Sequence, residues 1–168
     1  MLLERKSSAF AAEPRTPISK GCREVGAMAI MEADLFRGVS QRFITRIANG
    51  AEEQSYKTNS VIFKRGERAF HFYVLAAGDV HIEIGTTEET LAINRPGEVF
   101  GWSALVEPYA YTATAKCVRD TRVIKISRDA VETAIQEHPG EGLAVLKNLT
   151  AIIAGRLRYA YRQFVPEA

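Results

Sequence analysis

The stretch RPGEVFGWSALVEPYAYTATAKC, residues 95–117, holds the only tryptophan of the chain between two glycines and a proline. Pro96 and Gly97 set a turn, and Gly101 opens backbone conformations closed to other residues. Trp102 to Val106 leave room for about one and a half turns of helix before Pro108 ends it. The run YTATAKCV then has the composition of a strand. A turn, a short helix and a strand in that order present backbone N–H groups at the positive end of the helix. That setting suits an anion, with phosphate the guest the chemistry suggests and the Thr112 hydroxyl in reach from the strand.

Working outward, the segments on both sides are β-rich and short. SVIFKRG, FHFYVLAAG, VHIEIG, ETLAINRPG and TRVIKIS are each bounded by Gly, Pro, Asn or Asp. In VHIEIG, Val80, Ile82 and Ile84 alternate with His81 and Glu83, the period of a half-buried strand. Six to eight such strands at this spacing predict an antiparallel sandwich or roll.

Helical periodicity brackets the strands. Ser40 is a good N-cap for QRFITRIA, Phe43, Ile44 and Ile47 share a face, and Asn49-Gly50 ends the helix. After the strands, Ser127 caps a helix that stops near Pro139. A longer one follows to about Val165. It has two apolar stripes, Leu146, Leu149, Ile153, Leu157, Ala160 and Phe164 on one side and Val145, Ile152 and Tyr159 on the other. Two stripes predict one face on the chain's own core and one on a second copy, a homodimer through this helix. Residues 1–27, with Pro14 and Pro17 and no clear period, are expected to be a mobile arm, and residues 28–168 a single domain.

The totals exclude several classes. The chain has 168 residues, 46% hydrophobic and 25% charged, with a formal net charge of +2. That supports one core and gives no strong electrostatic footprint for nucleic acid. No apolar run is long enough for a membrane-spanning helix, and the N-terminus lacks the apolar stretch of a secretory signal. Cys22 and Cys117 are the only cysteines, and His71, His81 and His138 share no metal-ligand spacing. Ser103 in GWSAL lacks the second glycine of a nucleophile elbow, because Leu105 stands there. These observations give the expectation of a cytoplasmic, non-catalytic chain without a cofactor.

The separated residues Leu35-Phe36, Gly66-Glu67, Phe72-Tyr73-Val74-Leu75, Gly78, Val80, Pro96-Gly97-Glu98-Val99-Phe100-Gly101, Ala104-Leu105 and Thr112-Ala113-Thr114 agree in order with a known pattern. By them the chain resembles the cyclic nucleotide-binding domain of the catabolite activator/FNR class and of kinase regulatory subunits, over about residues 32–163. The resemblance implies an eight-stranded antiparallel β-roll of the jelly-roll type, an N-terminal helix and two C-terminal helices. It places a phosphate-binding cassette on Phe100, Gly101, Trp102, Ser103, Ala104, Leu105, Tyr111, Thr112 and Ala113. Backbone N–H groups of about Trp102 to Leu105 would face a cyclic phosphate, and Thr112 would lie beside it. The long last helix would contribute to the dimer and to the base, with Tyr159 or Tyr161 as ligand cover or as part of the seam.

Two members of the family pattern are missing. Trp102 stands where the family has the acidic residue that holds the ribose hydroxyl, and Tyr111 where it has the arginine that pairs with the phosphate. No Lys or Arg lies between Gly97 and Ala115. A hydrogen bond to a charged group contributes about 1.5–3 kcal/mol. Two lost contacts remove about 3–6 kcal/mol, or roughly two to four decades of affinity. Three readings stay open: rings that fill the pocket, a non-standard small ligand, and weak cyclic-nucleotide binding. The first expectation is a regulatory or sensor module that does not bind cyclic AMP or GMP tightly. The alternative is a structural or partner-binding subunit with a ligand-free roll, and the third a weak nucleotide sensor acting with a separate effector. Too few residues follow the last helix in this sequence for a helix-turn-helix, so direct contact with nucleic acid is not expected.

Overall fold

The computed structural model describes residues 20–85 and 90–164. It opens with α1 (Lys20–Glu32), a short 3₁₀ turn at Asp34–Phe36 and α2 (Gln41–Ala48). Eight strands follow: β1 (Ala51–Tyr56), β2 (Val61–Phe63), β3 (His71–Ala77), β4 (Val80–Glu83), β5 (Thr90–Ile93), β6 (Val99–Phe100), β7 (Thr114–Cys117) and β8 (Thr121–Ser127). A one-turn 3₁₀ helix, Trp102–Leu105, separates β6 from β7, and α3 (Arg128–Glu137) and α4 (Pro139–Phe164) complete the chain. The strands form two four-stranded antiparallel sheets, in the orders β1-β8-β3-β6 and β2-β7-β4-β5. The expected eight-stranded roll with flanking helices is the observed fold.

Helix boundaries follow the caps in the sequence. Ser40 Oγ accepts the Phe43 N–H and Ser127 Oγ the Ala130 N–H. Each satisfies one of the orphan donors at a helix start. Pro139 does more than stop α3. It is the first residue of α4, where its fixed φ and missing N–H suit a helix start. Helix α1 begins at Lys20, inside the stretch expected as an arm, and residues 1–19 lie outside the described residues. Strand β4 ends at Glu83, one residue before Ile84, which is exposed instead of continuing the buried row.

Strand β3 is buried along Phe72, Tyr73, Val74 and Leu75, because its sheet is covered on both faces. Phe72 meets Phe36 of the N-terminal turn, ring centroids 6.3 Å apart, while Tyr73 turns into the roll and stacks on Phe63 of the other sheet. The helices therefore pack on the outer face of the first sheet. Their mutual contacts are specific. Glu141, in the first turn of α4, accepts the Ser40 N–H at 2.6 Å and the Ser40 hydroxyl at 2.9 Å. Glu137 of α3 takes a two-pronged ion pair from Arg46 of α2. Asn148 Nδ2 donates to the carbonyls of Leu35 and Arg37. The first half of α4 is thus fastened to the N-terminal helices.

The hydrogen bonds from Ser40 hold the Glu141 carboxyl below the usual carboxylate range. A depressed folded-state value contributes stability above the ordinary glutamate value of about 4.3 and loses it as pH falls through the lowered one. Glu141→Gln is therefore expected to lose less stability than the native chain between about pH 5 and pH 3. Denaturant unfolding curves measured across that window check it.

Candidate functional site

Residue 101 decides the shape of the loop after β6. Gly101 caps the 3₁₀ helix with φ 72°, and a Cβ there would sit 3.1 Å from Phe63 and 3.2 Å from Tyr73. Only glycine meets both demands without strain or a shift of those rings. The following turn is held from two sides. The Ala69 N–H donates to the Tyr109 carbonyl, and the Arg128 guanidinium lies 4.4 Å from the centre of the Tyr109 ring. That cation–π contact, from the first residue of α3, had no signal in the sequence.

Tyr111 points into the roll. Its ring lies on Phe63 at 3.8 Å between centroids and 12° between planes, and its hydroxyl donates to the His71 carbonyl at 2.6 Å. Phe63 also stacks on Tyr73 and Phe100, and Tyr73 on Phe100 at 5.3 Å. Four rings from β2, β3, β6 and the loop form one cluster, and each pair contributes about 0.5–1.5 kcal/mol beyond its area. Burial, with the Tyr111 hydroxyl beside it, pushes the Tyr73 hydroxyl far above the ordinary tyrosine range. Burial also raises the Tyr111 hydroxyl.

A cavity of about 50 Å³ lies beside this cluster. Seven of the nine residues expected at the cassette line it: Phe100, Gly101, Trp102 and Ser103 from one side, and Tyr111, Thr112 and Ala113 from the other. Ala104 is fully buried and Leu105 packs against the core, and neither lines the cavity. The helix expected to aim N–H groups at a ligand is a single 3₁₀ turn, and the Ala104 N–H is already bonded to the Gly101 carbonyl. Tyr159 and Tyr161 are 50% and 60% exposed and do not line the cavity.

Another residue of α4 reaches the cavity. Arg156 lines the cavity, and its guanidinium donates to the Val99 carbonyl. The sequence places no Lys or Arg between Gly97 and Ala115, and Arg156 reaches the cavity from outside that range. The available signal was an arginine among apolar residues of α4, two turns beyond Asn148. Of the two expected stripes on α4, Val145 and Leu149 are buried, and Ile152 and Ile153 pack against the core. Leu143, Leu146 and Leu157 are exposed. The exposed row is therefore Leu143, Leu146 and Leu157, flanked by the half-buried Ile153 and Ala160, and the Phe164 side chain lies outside the described residues. Leu149 belongs to the buried side. Among the described residues no group of three metal-ligating side chains comes together, and no helix is long and apolar enough to cross a membrane.

The profile of the cyclic nucleotide-binding domain matches residues 53–138, just over half of the chain. The chain belongs to the cyclic nucleotide-binding domain family. It is 30% identical over 129 residues to the cyclic AMP receptor protein of Thermus thermophilus, covering 75% of this chain and 58% of that one. It is 25% identical over 114 residues to a cAMP-dependent protein kinase regulatory subunit of Colletotrichum orbiculare, covering 68% of this chain and 29% of that one. This sequence therefore spans little more than half of the first relative and under a third of the second. The crystal structure of the Thermus thermophilus catabolite activator protein superposes with a TM-score of 0.64 at 27% identity, over 79% of this chain and 62% of that one.

Two outcomes follow for the ring cluster. Raised tyrosine values contribute stability below about pH 10 and lose it as pH rises further. Tyr73→Phe should therefore flatten the alkaline fall in stability above about pH 10, as read from unfolding curves and phenolate absorbance. Tyr111→Ala should destabilise by about 3–5 kcal/mol, as other large-to-small core changes do. Thermal unfolding measures that loss.

Proposed function

We propose that this chain is a non-catalytic regulatory module of its family whose cassette is closed to tight binding of cyclic AMP and cyclic GMP. One observation carries the reading: the Tyr111 ring is packed on Phe63 at the position where the family resemblance implies a phosphate-pairing arginine. The remaining cavity of about 50 Å³ supports it, since small-molecule sites span roughly 300–1,000 Å³. An engineered cavity of roughly 150 Å³ binds benzene. Trp102, at the position implied for the ribose-binding acid, is half-buried against the core and offers a ring and one N–H.

The output element of this module is α4. Its inner face meets the cassette through Arg156 and the N-terminal helices through Asn148, while its outer face offers Leu143, Leu146 and Leu157. Leu146, Ile153 and Ala160 fall seven residues apart, with Leu157 four after Ile153 and three before Ala160, the spacing of a coiled-coil seam. A second copy of the chain is the partner that this seam suits.

In thermal unfolding, a ligand at a hundred times its dissociation constant would add about 2.7 kcal/mol. For a domain of this size that is about 5–10 °C. Millimolar cyclic AMP or cyclic GMP is expected to give no such shift, and a shift of that size would overturn the reading. The folded double variant Trp102→Glu, Tyr111→Arg is expected to gain binding. For the seam, Leu146→Glu together with Leu157→Glu should halve the mass measured by sedimentation. A native chain already monomeric at micromolar concentration would remove the dimer.

A further inference from the structure

Three separate segments of the chain meet around one exposed ring. Phe70, just before β3, is 49% exposed. The Arg68 guanidinium lies over that ring, 5.5 Å from its centre, and the Arg128 guanidinium at 5.7 Å, while Arg128 also covers Tyr109 at 4.4 Å. None of these four residues lines the cavity beside the ring cluster. Backbone bonds fix the arrangement. The Ala69 N–H donates to the Tyr109 carbonyl, the Arg128 N–H donates to the Phe70 carbonyl, and Arg68 pairs with Ala110 in an isolated bridge. The turn before β3, the turn after the 3₁₀ helix and the start of α3 are thus tied into one patch.

A stacked guanidinium spends its face on the ring and keeps its N–H donors, which lie in its plane, for other acceptors. Here those donors are unspent. Among the described residues neither the Arg68 nor the Arg128 side chain donates a hydrogen bond. Only Glu132 brings a carboxylate near either group, 3.8 Å from Arg128 Nε and beyond hydrogen-bond reach. A lone exposed aromatic ring is ordinary on a surface. A ring with two fixed donor forks beside it is different, because aromatic residues and arginine together make up the hot spots of protein interfaces. Side chains already held by stacking lose little freedom on association. Charge complementarity then selects the partner: carboxylates, whose two oxygens match each fork, next to an apolar side chain that covers Phe70.

We propose that Arg68, Phe70 and Arg128 form a docking surface for an acidic segment of a partner protein, one that sets an apolar side chain beside its carboxylates. Arg68 and Arg128 donate to the carboxylates, Phe70 takes the apolar side chain, and Tyr109 holds Arg128 in place. The surface shares no residue with the cavity lining or with the exposed row of α4. It therefore stands or falls separately from the closed cassette and from the seam.

The test titrates the isotope-labelled native chain with the acetylated, amidated tripeptide Glu-Leu-Glu and follows the arginine side-chain N–H groups and the Phe70 ring by NMR. Saturable shifts centred on Arg68, Phe70 and Arg128 are expected, with none from Lys-Leu-Lys at equal ionic strength. Arg68→Gln and Phe70→Ala, both at exposed positions, should each weaken binding by about fivefold or more. Arg68→Lys keeps the charge without the fork and should bind between the native chain and Arg68→Gln. Arg158→Gln, on the exposed side of α4, should bind like the native chain. Arg128→Gln should also weaken binding, and circular dichroism checks that it is folded; if it is not, the two exposed variants decide. No shift at millimolar peptide, shifts centred elsewhere, or equal binding by Arg68→Gln and Phe70→Ala overturns the proposal. So do two other occupants. A sedimentation mass that falls in Phe70→Ala makes this face a contact between copies of the chain. A thymidylate oligomer that shifts the same signals at lower concentration than the peptide assigns the patch to nucleic acid.

Discussion

Phe63 lies flat against Tyr111, and the site depends on that contact. It joins the second sheet to the cassette loop, and through Tyr73 and Phe100 it joins both to the first sheet. Gly101 must lack a side chain because these rings leave it no space. The Tyr111 hydroxyl, bonded to the His71 carbonyl, anchors the loop to the outer end of β3. An arginine at position 111 would place a guanidinium where a neutral ring now fills the interior, and burying that charge unpaired is costly. Where the family resemblance implies a phosphate-pairing cation, position 111 instead contributes a ring to a packed interior.

Much of the fold was legible from local rules. Serines at positions 40 and 127 start helices where capping predicts them, and the Gly- and Pro-bounded β-rich segments become strands. The roll itself was legible only through resemblance, since alternation alone does not choose among antiparallel architectures. Ile84 was misassigned because period-two patterning marks a face without marking where pairing stops; β4 pairs with β5 and β7 only to Glu83. Helix α1 was missed in part because the stretch after Lys20 has no clear apolar period, although Ser19 before it is a residue type that favours helix starts.

The site was half legible. Contiguous sequence led to the loop, and seven of its nine expected residues share one cavity. Arg156 was invisible because its role arises from the packing of α4 on the roll, a contact between residues 57 positions apart. Tyr159 and Tyr161 were attractive as aromatic cover, but helix phase turns them outward and turns Arg156 in. Periodicity also grouped Leu149 with the outer stripe, since two adjacent apolar faces on one helix blur into each other until a neighbour covers one of them.

The way α4 is held has a geometric consequence. Glu141 holds Ser40 and Asn148 is bonded to the carbonyls of Leu35 and Arg37, so Asn148 is the last polar anchor of the fastened half, while Arg156 touches the cassette further along. At 1.5 Å of rise per residue, Arg156 is about 12 Å from that fulcrum and residue 164 about 24 Å. If the half of α4 beyond Asn148 swings as a rigid rod about that anchor, its tip moves about twice as far as Arg156. A displacement at the cavity no larger than a bond length becomes, at the far tip, a movement comparable to the spacing between packed atoms.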